Sequence, residues 1–142
     1  MNQQEAMDLF QQGFDCSQAV LMEFADELNL DDETAKKISA CFGGGIWNGH
    51  VCGAVAGAMM VIGMKYGHSQ AGDKETKDLM VQKINEFITA FEQKHGSVVC
   101  KDLLGYKIPE DLDTIMEKQL FFTEGMCPAF VCDAIDILHD IL

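Results

Sequence analysis

Arginine is absent from the 142 residues: all ten basic side chains are lysine, set against 23 acids for a formal charge of −13. Without guanidinium forks the chain lacks the usual bidentate grip on phosphate, and its acidic field repels nucleic acid and anionic lipid. Neither nucleic acid nor a membrane is an expected partner. Long apolar runs are missing too. The longest, from Val51 to Met64, covers about 14 residues against the roughly 20 needed to cross a bilayer. The opening MNQQEAMDLF puts no basic segment ahead of an apolar one, so no signal peptide is expected and the protein is placed in the cytoplasm. No stretch alternates apolar and polar residues with period two, which argues against a sheet. The expected fold is all-α, a single domain over 1–142 of about seven helices.

The stretch 51–67, VCGAVAGAMMVIGMKYG, organises the rest. A helix apolar on every face must be buried on every face, so residues 51–64 predict a central helix almost wholly enclosed by amphipathic ones. Gly53 and Gly57, four apart with Ala54 and Ala58 beside them, let a neighbouring backbone come close.

The remaining elements follow from caps and stripes. Residues 3–12 carry Ala6, Leu9 and Phe10 on one face and stop at Gly13. Asp15 and Gln18 have capping-box spacing for a helix running to Leu28. Asp31 or Asp32 caps a third, with Ile38, Cys41 and Phe42 on one face, broken by Gly43 to Gly45. A loop with the single tryptophan, Trp47, leads to Cys52. Residues 74–95 repeat Met80, Ile84, Phe87, Ile88 and Phe91 between charges, a long surface helix with one buried stripe. A short helix with Cys100 near its start ends at Gly105, Pro109 fixes a turn, and 112–121 is amphipathic up to a break at Gly125. Cys127 then caps a final helix with Pro128 in its first position.

Six cysteines are present, and no CxxC pair. In a reducing compartment such enrichment points to metal binding or redox chemistry ahead of structural disulfides. Cys16, Cys52, Cys100 and Cys127 each fall at or near a helix start. Free N–H groups and the dipole there favour an anion, so each thiol is expected to ionise more readily than a free one. Four thiolates from four helices could meet at one point. The plainer reading is that buried cysteine is a small hydrophobe, and Cys41 and Cys132 are assigned to it. Gly43, Gly45 and Gly49 fit a dinucleotide loop badly, because the spacing is one residue too long and a helix precedes them. They are read as freedom to aim Cys52. His50 is a candidate ligand or proton donor and, more plainly, a solvated loop residue; His68, His95 and His139 are read as surface residues.

Cys16 in GFDCSQAVL, the run Cys52-Gly53-Ala54-Val55-Ala56-Gly57, Cys100 in CKDLLG and Cys127 together resemble the redox-active family named for its C_GCAxxG_C_C signature. Members are single-domain chains of about this length. The resemblance implies Cys16, Cys52, Cys100 and Cys127 as redox thiols or as ligands of an iron–sulfur cluster or other metal ion, with Gly53 and Gly57 as cofactor-binding positions. Three readings result: a metal-centre electron carrier or oxidoreductase component, a metal-free thiol–disulfide protein, and a helical interaction module with structural cysteines. The redox partner protein is unidentified and a homo-oligomer is left open.

Overall fold

The computed structural model describes residues 1–105 and 126–142. The expected turn at Pro109, the amphipathic segment 112–121 and the break at Gly125 lie outside them. Seven α-helices occur among the described residues: α1 (Gln3–Gln11), α2 (Cys16–Phe24), α3 (Asp32–Ser39), α4 (Gly53–Tyr66), α5 (Lys74–His95), α6 (Cys100–Leu104) and α7 (Cys127–Ile141). No strand forms there, only an isolated antiparallel bridge between Val51 and Val99. The fold is all-α.

Local chemistry starts most of the helices. Asn2 and Glu5 close a capping box on α1, a cap the sequence reading overlooked. Gln18 accepts the Asp15 N–H at 2.9 Å, Asp31 accepts from the Thr34 N–H at 2.9 Å, and Asp73 accepts from both the N–H and hydroxyl of Thr76. Helix α2 stops at Phe24, short of the expected Leu28, and gives way to turns up to Asn29. Met126, and not Cys127 as expected, caps α7, so Cys127 and Pro128 take its first two positions; proline is accepted at the second because the N–H groups of the first turn have no partner in the helix.

Helix α4 packs on α2, α5 and α7, while α1 lies on α7 and α3 on α2. Phe24, Val61, Ile62, Phe87, Phe91 and Ile135 are fully buried at their meeting. The expected contact of α5 with α4 is present, and Met80, Ile84 and Ile88 pack partly buried beside Phe87 and Phe91. The near-complete burial expected of 51–64 is not found. Val51 is exposed, Ala56, Met59 and Met60 are half-buried, and Gly63 and Met64 face solvent. Ala56, Met59 and Met60 instead line an open hollow with Phe42, Ile46 and Val51, so this side of α4 is only partly covered.

The stripe expected on the third helix is also rearranged. Ile38 and Cys41 are exposed and Phe42 half-buried, while Ala35 and Ser39 face inward. The reason is a polar lock between helices. Ser17 Oγ donates to Ser39 O at 2.7 Å, Ser39 Oγ donates to Ala35 O at 2.6 Å, and Gln18 Nε2 donates to Lys36 O at 3.0 Å. These bonds turn α3 so that its small polar residues meet α2 and settle every buried donor in the contact. At the far end of α5, His95 is not a surface residue: its ring sits 4.7 Å from Phe91 and 4.8 Å from Phe130. Its Nε2 lies 2.9 Å from Asp133, which Lys94 also reaches, so α5 and α7 are held at this corner.

Candidate redox site

Cys16 opens α2, Cys127 opens α7, Cys100 opens α6 and Cys52 is the N-cap of α4. The helix-start positions expected for all four are present. The thiols of Cys16 and Cys127 are neighbours, near enough for Cys127 to raise the Cys16 thiol, and they join positions from the first and last parts of the sequence. This contact follows from packing α2 directly on α7.

Cys52 and Cys100 are placed by a different device. Around the Val51–Val99 bridge, Cys52 N–H donates to Val98 O at 2.7 Å and Cys100 N–H donates to His50 O. In an antiparallel pair of this kind, Val51 and Val99 share one face and their neighbours project from the other. Cys52 and Cys100 are therefore on one side of a two-stranded clamp, turned away from the exposed Val51. Glycine makes the approach possible at two points. A Cβ added at Gly53 would lie 3.1 Å from the Cys16 Cβ, and one at Gly45 would lie 2.8 Å from the Cys100 Cβ. Gly53 and Gly57, the expected cofactor-binding positions, have the room left by their missing side chains filled by α2: Gly57 packs against Ser17 O and Val20.

The loop before Cys52 is a left-handed turn. Gly44, Gly45, Ile46 and Trp47 all have positive φ, at 58°, 65°, 58° and 53°. For β-branched Ile46 this is a strained conformation. It is held by His50 N–H donating to Gly45 O at 2.9 Å and by the Trp47 indole donating to Ala40 O at 3.3 Å. The glycines alone were expected to make this turn; that two side-chain residues share it was not legible from composition. His50 is exposed, with Asn48 beside its ring nitrogen.

The expected easy ionisation is overturned. The neighbouring Cys127 side chain and then burial push the Cys16 thiol well up, helped by the charges of Cys127 and Asp15. Burial, then the charge of Cys16, pushes Cys52 up to about 12, although the Val55 and Ala54 N–H groups pull the other way. Cys100 is likewise pushed up to about 12 by burial and the charges of Cys52 and Cys16. A helix start contributes about 1 kcal/mol to an anion, whereas desolvating a charged sulfur costs several. Cys16, Cys52 and Cys100 hold their protons. Asp15, immediately before Cys16, has its carboxyl pushed by burial from the ordinary 3.8 to about 6. Gly43 covers it so closely that a Cβ there would fall 2.6 Å from the Asp15 Cβ.

Cys132 and Cys41 stand apart. Burial raises the Cys132 thiol, and the charges it meets are Asp136, Asp133, Glu5 and the N-terminus, none a cysteine. Cys41 is exposed, so the small-hydrophobe role assigned to it fails while that of Cys132 agrees with its burial. All six cysteines are free thiols. Among the described residues no group of three or more His, Cys, Asp or Glu side chains is spaced to hold a metal ion, and no helix is long and apolar enough to cross a membrane.

Residues 14–141 match the family described as "Putative redox-active protein (C_GCAxxG_C_C)". The chain belongs to this family, whose description is of redox activity. No curated protein and no solved structure matches it.

Proposed function

We propose that the protein is a thiol–disulfide redox protein of the cytoplasm in which Cys16 and Cys127 cycle between a dithiol and a disulfide. The observation that carries this reading is the adjacency of the two thiols, each at the first position of one of two helices packed on each other. Oxidation breaks two S–H bonds and forms one S–S bond; the two electrons and two protons pass to a disulfide on a redox partner protein, which is released as two thiols. A partner reaches the pair from the side of Cys16, whose residue is half-buried while Cys127 is buried. The raised thiol makes attack slow at neutral pH and keeps the reduced pair from reacting at random.

The test is mass spectrometry of the intact chain before and after oxidation. A loss of two protons, mapped to a peptide pair containing Cys16 and Cys127, supports the proposal; full alkylation of both after oxidation refutes it.

The second reading, a metal ion or iron–sulfur cluster held by Cys16, Cys52, Cys100 and Cys127, is favoured by thiols from four separate elements that feel one another's charge. Their sulfurs have the chemistry of a tetrathiolate donor set, and would have to draw together from where they stand. Anaerobic purification with metal analysis decides between the two. Stoichiometric zinc or iron, or a visible band bleached by dithionite, selects the metal centre.

A further inference from the structure

The proposed dithiol uses two of the four signature cysteines, and two remain. Cys52 and Cys100 sit on one face of the Val51–Val99 clamp, with their backbones fixed by hydrogen bonds to Val98 and His50. Both are buried free thiols. Cys52 leads directly into Gly53, the point at which α4 touches the Cys16 Cβ.

We infer that Cys52 and Cys100 are a second redox pair, which passes two electrons to the Cys16–Cys127 disulfide by exchange inside the fold. The inference rests on the proposed Cys16–Cys127 couple. Starting from that disulfide, the Cys52 sulfur bonds to Cys16 Sγ, the Cys16–Cys127 bond breaks, and Cys127 leaves with the proton that Cys52 gives up. Cys100 then bonds to Cys52, the Cys16–Cys52 bond breaks, and Cys16 takes the proton from Cys100. One disulfide has moved inward, two electrons have moved outward, and no added oxidant is consumed. Cys16 is the hub, since its helix packs on that of Cys127 and its Cβ lies against Gly53, the residue next to Cys52. A second oxidation of the outer pair would then leave both pairs bridged. The family signature names four cysteines; the relay gives each a distinct place in one sequence of steps.

The experiment uses the full reduced chain, freed of metal, with diamide as the oxidant. Samples are quenched in acid, unfolded, alkylated and mapped. With two equivalents the wild type should lose four protons and yield Cys16–Cys127 and Cys52–Cys100 peptides, leaving Cys41 and Cys132 alkylated. Cys100→Ser with one equivalent should trap a Cys16–Cys52 bridge, at least about tenfold more abundant than in wild type. Cys52→Ser should leave Cys16–Cys127 as the sole disulfide, and circular dichroism on both variants checks that the helices persist. If Cys16–Cys127 forms but Cys52 and Cys100 stay alkylatable under excess oxidant, and Cys100→Ser traps nothing, the relay is wrong and the outer couple stands. Absence of Cys16–Cys127 itself overturns both.

Discussion

Gly57 and Gly63 lie in the same helix and should respond to alanine with opposite signs. A Cβ at Gly57 would fall 2.8 Å from Ser17 O, 3.0 Å from the Val20 Cβ and 3.3 Å from Ser17 Cα. None of these atoms is the free end of a side chain, and Ser17 is itself tied to Ser39. Relief therefore means moving α2 away from α4, at the 1–3 kcal/mol that overpacking costs, offset by about 1 kcal/mol of helix propensity. The net loss for Gly57→Ala is about 1 kcal/mol or more, and Gly57→Leu should fail to fold. At Gly63 no atom lies within 4 Å and the position faces solvent, so alanine should gain about 0.5–1 kcal/mol. Urea unfolding followed by helical circular dichroism reads both. Thermal midpoints should part by several degrees, Gly57→Ala below wild type and Gly63→Ala above it. If Gly57→Ala is as stable as Gly63→Ala, the close contact of α2 with α4 is misplaced, and with it the position of Cys16.

Three further perturbations test the site from other directions. The Asp15 carboxyl, raised from 3.8 to about 6, holds its proton more tightly folded than unfolded, so its contribution to stability is complete below about pH 4 and lost as pH rises through 6. Asp15→Asn keeps a good cap and should stabilise the protein by about 1–2 kcal/mol at pH 7.5, after allowance for solvent around a half-buried group, with the gap closing near pH 4; a gap independent of pH would count against burial as the cause. Iodoacetamide should label exposed Cys41 first in the reduced protein, while Cys52 and Cys100, pushed up to about 12, are thiolate in only about one molecule in 10,000 at pH 8; equal rates for all thiols would contradict their burial. Ile46→Gly removes a side chain half in solvent from a residue with φ of 58°, and should raise stability by about 1 kcal/mol; a loss would mean that the Ile46 side chain holds more than its strain costs.

The elements whose information is local were legible from sequence. Asp31 caps its helix because a carboxylate three residues ahead of a free N–H needs no distant partner, and the Asp15 N–H finds the Gln18 side chain at the spacing of a capping box. The thiol positions were legible for the same reason, as helix starts. Their ionisation was not, because the dipole is local but the burial that outweighs it is supplied by elements far away in sequence. The exposure of Ile38 escaped reading because the Ser17–Ser39 bond, between residues 22 apart, sets the rotation of α3. The Val51–Val99 bridge is one residue pair deep, too short to leave any alternation in the sequence, yet it places two of the four cysteines.

The meeting of α2 and α7 also fixes the covalent topology of the oxidised chain. Cys16 and Cys127 are about 110 positions apart, and a bond between them would close a ring around α2 to α6. Closing so large a loop removes conformational freedom from the unfolded chain worth about 5 kcal/mol before any strain. By linkage, the same free energy would favour the disulfide in the folded protein over the unfolded one. A protease cut in a loop of the oxidised protein would leave two pieces that migrate as one until reductant is added.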